Sequence, residues 1–174
     1  SGMTQTYDNT SPTTDHTGTA TVSSGGDYVL ADFGYWYPAN YEISGNVFED
    51  MGVTGTKEAA TTDPGLVGIT VTLYDDTGTT VLATTTTCTL AQATTVGDLC
   101  FGRSAGDYVF PGLPGDSSYV VKVDTTTLPS TAYAETYEAD TSINNTIPVT
   151  ITNAAVINQD FGFHPYLGSI SGSV

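Results

Sequence analysis

The sequence predicts an all-β sandwich of about seven short strands, and three observations predict it. Apolar and polar residues alternate in several short runs. From Leu66 to Tyr74, Ile69, Val71 and Leu73 fall on one face and Thr70, Thr72 and Tyr74 on the other, the period of a half-buried strand. Of the 174 residues 33 are threonine, which favours strands and disfavours helices. No stretch carries an apolar stripe at helical spacing between capping residues. Short strands separated by turns bury one face each by packing sheet on sheet.

The chain also repeats. Asp32-Phe33-Gly34-Tyr35 and Asp160-Phe161-Gly162-Phe163 lie 128 residues apart, and each leads to a second shared stretch, Ile43-Ser44-Gly45-Asn46-Val47 and Ile170-Ser171-Gly172-Ser173-Val174. Upstream, Gln5-Thr6-Tyr7-Asp8 matches Glu135-Thr136-Tyr137-Glu138. The expected organisation is the closing strands of one module at 1–36, an aromatic linker at 37–42 and a complete module at 43–165. Residues 166–174 are then the first strand of a following module, or a strand donated to another copy.

Taken in order, Thr19 to Val22 and Tyr28 to Phe33 flank the turn Ser23-Ser24-Gly25-Gly26. Trp36, Tyr37 and Tyr41 cluster at the junction, either as a wedge between modules or as a platform that stacks on sugar rings. Ile43 to Phe48 is a first strand, followed by a polar loop from Glu49 to Asp63 and a turn at Pro64-Gly65. Asp75-Asp76-Thr77-Gly78 turns the chain after Tyr74, and Thr79 to Thr87 pairs back as a hairpin. Cys88 to Cys100 is a short insertion. Tyr108 to Phe110 is a strand stopped by Pro111-Gly112. Tyr119, Val121 and Val123 share one face of the next strand, with Lys122 outward. Thr125 to Asp140 reads as a looser region. Ile147, Val149 and Ile151 face inward, and Ile157, Phe161 and Phe163 form the core face of the last strand.

Charge narrows the partners. Three basic residues against 19 acidic leave a net charge of -16, which repels nucleic acid and anionic membrane. No apolar run approaches the roughly 20 residues of a membrane span. Cys88 and Cys100 form an even pair in a Thr- and Gly-rich chain, which favours a disulfide and an oxidising compartment over two free thiols. Closing so short a loop stabilises by ~3 kcal/mol in the chain-entropy model. His16 and His164 lie at module edges with no Ser or Cys at a telling spacing, and Asp75-Asp76 are turn residues, so no enzyme is expected. Asn9-Thr10-Ser11 and Asn144-Asn145-Thr146 satisfy the glycosylation sequon, a pattern that arises readily by chance in a Thr-rich chain.

Four motifs in order carry a family resemblance across residues 41–165. Ile43-Ser44-Gly45-Asn46-Val47-Phe48-Glu49-Asp50, then Pro64-Gly65-Leu66-Val67-Gly68-Ile69-Thr70-Val71, Tyr108-Val109-Phe110-Pro111-Gly112-Leu113-Pro114-Gly115 and Asp160-Phe161-Gly162-Phe163 resemble the B-type repeats of Sdr surface proteins. The resemblance implies a Cna-B-like sandwich of Ig-like or transthyretin-like form, in a stalk at the cell surface or secreted. It also implies calcium in the loop after the first strand, where such repeats carry Asp-x-Asn-x-Asp-Gly. Asp50 and Gly55 match, Glu58 falls near a later acid and Asp63 precedes the Pro-Gly turn. Gly52 and Thr54, however, stand where side-chain ligands are expected, and a polar loop held by its own hydrogen bonds is the alternative. Some relatives join a first-strand Lys to a last-strand Asn. Here that strand has no Lys, Lys57 lies in a loop and Lys122 faces outward, so no such cross-link is expected.

The function expected from all this is a structural repeat module, a stalk or filament subunit whose partners are neighbouring copies of itself. The terminal strand, with Ser169, Ile170 and Val174, is expected to complete the sheet of the next copy head to tail. The alternative is an adhesive or carbohydrate-binding module with Trp36, Tyr37 and Tyr41 as its platform and a glycan or protein as ligand.

Overall fold

Eight strands close two sheets face to face around an apolar core. The computed structural model describes residues 4–8, 33–36, 40–130 and 132–166. After β1 (Thr4–Asp8) and β2 (Phe33–Trp36), the strands are β3 (Tyr41–Glu49), β4 (Thr70–Tyr74), β5 (Val81–Thr86), β6 (Asp107–Leu113), β7 (Ser117–Val123), β8 (Tyr133–Glu138), β9 (Thr146–Ile151) and β10 (Phe161–Pro165). One sheet has the order β6-β3-β10-β8 and the other β5-β4-β7-β9. All pairs in them are antiparallel except β3 with β10, which run parallel with Val47 opposite Phe161. The fold is an all-β sandwich.

The core lies between the sheets. Ile43, Val47, Phe161 and Phe163 from one sheet meet Val71, Leu73, Val121, Val149 and Ile151 from the other, with Tyr108 and Phe110 closing one side. Each fully buried aliphatic or aromatic side chain contributes about 1.5–3 kcal/mol. The faces expected for Ile69, Val71 and Leu73, for Tyr119, Val121 and Val123, and for Ile147, Val149 and Ile151 are all buried. At the rim, Gly65 and Gly106 touch backbone to backbone. Gly106 has φ +82, and a Cβ there would lie 2.5 Å from the Gly65 Cα, so neither a side chain nor an ordinary backbone conformation fits.

Five expectations are corrected. Ile157 is exposed and lies in the loop before β10, which starts at Phe161. Residues 66–69 precede β4 rather than belong to it: Gly68 turns with φ +73 while its N–H donates to the Thr87 carbonyl. β6 runs on through Pro111-Gly112, because it is an edge strand where a missing N–H costs nothing in the ladder. The insertion holds a helical turn, α1 (Leu90–Ala93), closed by a capping box of Thr89 and Gln92. Residues 125–140 are not loose throughout, since they contain a 3-10 turn at Thr125–Thr127 and the whole of β8.

The chain divides into two units, Ser1–Ala39 and Asn40–Val174. In the first, β1 pairs with β2 as Asp8↔Phe33, Tyr7↔Gly34, Gln5↔Tyr35 and Thr4↔Trp36. In the second, β8 pairs with β10 as Glu138↔Phe161, Tyr137↔Gly162, Glu135↔Phe163 and Ala134↔His164. The two registers coincide residue for residue, and both skip one residue, Thr6 in the first and Thr136 in the second. The repeat seen in the sequence is therefore a repeat of strand pairing. The expected strand Thr19–Val22 lies outside the described residues.

Candidate functional site

The loop from Asp50 to Asp63 is built around two carboxylates that face inward. Asp50 is buried and accepts hydrogen bonds from the Thr54 N–H (3.0 Å) and the Gly55 N–H (3.1 Å). Burial opposes its ionisation, but those N–H donors outweigh it and hold the carboxyl below its ordinary range. Val53 and Gly55 both take positive φ, which turns the backbone around the acid. Asp63, also buried, accepts from the Met51 N–H (3.3 Å) and the Glu58 N–H (2.8 Å). Glu58 accepts from the hydroxyls of Thr54 (2.6 Å) and Thr56 (3.3 Å).

Calcium needs six to eight oxygens converging on one point. Asp50, Glu58 and Asp63 each serve the loop's own donors, and among the described residues no three Asp, Glu, His or Cys side chains converge as a metal cluster. Gly52 and Thr54, standing where ligands belong, offer no carboxylate in their place. As arranged, the loop does not fit a calcium site; it is closed by hydrogen bonds. It is also tied to the sheet, where the Asp50 N–H donates to the Phe163 carbonyl (2.9 Å) and His164 Nδ1 pairs with the Asp50 carbonyl (2.8 Å).

Beside it lies a cleft of about 260 Å³ lined by Glu42, Asn46, Lys57, Arg103, Asp107 and Asp160. It holds two of the chain's three basic residues, and both are paired. Lys57 Nζ lies 3.2 Å from Asp160, and Arg103 donates to both oxygens of Glu42 at 3.0 and 3.2 Å. Asp160, buried just before β10, also accepts the Asn46 N–H at 2.7 Å. In this copy of the repeated motif the leading Asp has a role: its carboxylate latches the start of β10 to β3. The repeat in the sequence marked that residue, but its bond to Asn46 joins positions 114 apart and is visible only in three dimensions.

At the far end of β5, Cys88 and Cys100 form a disulfide with Cα atoms 5.6 Å apart. It clips an excursion on which Leu90, Val96, Leu99 and Phe101 are exposed. Tyr41 is half-buried against the core, close to Gly115, at the edge of the sandwich. The side chain of Trp36, and Tyr37, Ser169, Ile170 and Val174 altogether, lie outside the described residues.

These features define a β-sandwich whose polar side chains brace strands and loops. No protein-family model and no curated protein sequence matches the chain. Among solved structures it is similar to the minor pilin GBS52 of Streptococcus agalactiae, at 14% identity and a TM-score of 0.43, over 88% of this chain and 61% of that one. It is similar too to the shaft pilin SpaA of Lactobacillus rhamnosus GG, at 16% identity and a TM-score of 0.35, over 74% of this chain and 50% of that one. The chain thus spans between half and two thirds of the length of these proteins. Likeness at that level carries no functional argument, and the sandwich stands on its own strand pairing.

Proposed function

We propose that the chain is a structural repeat module of a secreted or cell-surface fibrous protein, one sandwich in a series. The observation that carries this reading is the coincidence of the β1–β2 and β8–β10 registers, skipped residue included. A pairing reproduced in that detail belongs to a tandem architecture, in which each unit is a spacer. The disulfide and the self-closed Asp50–Asp63 loop suit a part that resists opening.

The contacts between units follow from the same registers. Ile43 to Val47 lies in β3, which runs beside β10 with Val47 opposite Phe161. Ile170 to Val174 repeats that stretch, and Phe33 repeats Phe161. By the same register, Val174 of one copy belongs beside Phe33 of the next, a head-to-tail strand exchange. Light-scattering mass of the purified chain over a range of concentrations tests it. Oligomers that grow with concentration and vanish when residues 169–174 are deleted are expected. An 18.1 kDa monomer at every concentration, or polymers that survive the deletion, would overturn strand exchange. Repeating the series in millimolar calcium and in excess chelator tests the ion, and equal masses are expected because the loop closes on itself.

A further inference from the structure

The bulge in β8 has a chemical consequence. Residues three apart on a regular strand point to opposite faces, but the extra residue Thr136 brings Glu135 and Glu138 opposite Phe163 and Phe161, the two core residues of β10. Both acids are thereby aimed between the sheets. There they meet the chain entering β9, where Asn145 takes φ +62 and three successive N–H groups turn toward them. Glu138 accepts the Asn144 N–H (3.0 Å) with one oxygen and the Thr146 N–H (2.5 Å) with the other. Glu135 accepts the Asn145 N–H (2.8 Å) with Oε2, while its Oε1 is buried with no donor facing it.

The two acids are not equivalent. Glu138 uses both oxygens as acceptors of backbone N–H and is therefore the carboxylate. Glu135 has one oxygen to spare, set against the same run of N–H groups that binds Glu138, and a proton on it satisfies the orphaned atom. We propose that Glu135 and Glu138 share one proton and form a pH-operated clip, joining the edge strand β8 of one sheet to the start of β9 in the other. When Glu135 is protonated the clip is closed; when it ionises, a second carboxylate faces the buried one of Glu138 and the clip loosens.

The surroundings favour the shared proton. Burial first, then the bond to Glu138 and the charges of Glu138 and Asp140, push Glu135 up to about 8. No compensating cation faces the pair among the described residues. Lys122, opposite Thr146, is turned to the Gly78 carbonyl and the Tyr74 ring. His164 on β10 is bound to the Asp50 carbonyl, and Tyr133 on β8 is a neutral phenol whose ionisation is opposed by burial and then by the Glu49 charge. The other repeat offers a second observation: Gln5 takes the register position of Glu135, and Asp8 that of Glu138. As a residue type, glutamine carries permanently the hydrogen that protonation supplies to Glu135.

Between the ordinary carboxyl range and about 8, the folded chain holds a proton that the unfolded chain has released, so stability falls as pH rises through that window. The test is the melting temperature of the whole chain from about pH 5 to about pH 9, for wild type, Glu135→Gln and Glu138→Gln. Glu135→Gln is expected to match wild type at the acid end and to melt several degrees higher at the basic end. Glu138→Gln is expected to melt lower throughout, because its NH2 would face a backbone N–H. Parallel wild-type and Glu135→Gln curves would overturn the clip. A direct readout needs no variant: the amide resonances of Asn144, Asn145 and Thr146 should titrate with a midpoint well above the ordinary carboxyl range. A midpoint of about 4–5 would overturn it.

Discussion

At Gly162 a methyl group has no room. A Cβ there would lie 2.6 Å from the Phe48 ring and 2.9 Å from the Tyr137 Cβ. Gly162, in the second copy of the Asp-Phe-Gly-aromatic motif, is therefore a packing requirement: it lets the Phe48 ring approach the β10 backbone. Gly162→Ala should destabilise by about 1–3 kcal/mol, read by chemical denaturation, because the ring must move off its place. Val149 makes the complementary case. It is buried on β9 between the sheets, so Val149→Asp places an unpaired charge in the core and should abolish the cooperative transition in the same experiment. Residues of this kind are legible in sequence, since a small residue in a strand motif and an apolar residue on an alternating face each announce their environment. Glu135 and Glu138 did not announce theirs. Charged residues in a polar stretch read as solvent-facing until the strand partner shows which way they point.

Elements were legible in proportion to their regularity. β4, β7 and β9 alternate without a break, and their buried faces follow from period two alone. β8 hides because its skipped residue shifts the phase midway and because two of its inward positions are acids. β6 looks shorter in sequence than it is, because Pro111 ends most strands; on an edge it does not. The helical turn in the insertion is four residues long, too short to show a stripe. The insertion also supplies a prediction at this scale. The disulfide closes a loop of sequence separation 12 that is attached to the sheet by Cys88 and Gly106 backbone bonds. Reduction should lower stability by about 2–3 kcal/mol through the unfolded chain's regained freedom and leave the sandwich folded. Melting with and without reductant, with strand content followed by circular dichroism, checks both halves of that statement.

For the whole molecule, charge sets the terms of association. Each copy carries -16, so copies repel at long range, and the head-to-tail contact proposed above must form against that field. Raising ionic strength from about 0.01 M to about 0.15 M shortens the screening length from about 30 to about 8 Å. Mass by light scattering should therefore grow with salt; polymers that dissolve as salt rises would contradict a contact made by backbone pairing and apolar side chains. The acidity has a matching internal logic. Buried carboxylates at Asp50 and Asp63 spend their charge on backbone N–H groups, braces that take no basic residue from a chain that has three; Asp160 divides its own between the Asn46 N–H and Lys57.

What the sequence by itself determined is the class of fold, the repeat, the pairing of the cysteines and most inward faces. These depend on local periodicity and on the likeness of one stretch to another, and both can be read along the chain. What only the tertiary structure decided is where the carboxylates go. Asp50 and Asp63 face into their own loop, Asp160 latches β10 to β3, and Glu135 joins Glu138 beneath β9. The physical reason is that a carboxylate's environment is set by N–H groups and neighbouring acids brought to it by register and bulge, sometimes from more than a hundred residues away. One skipped residue reverses which face an acid occupies, and no composition or spacing records that.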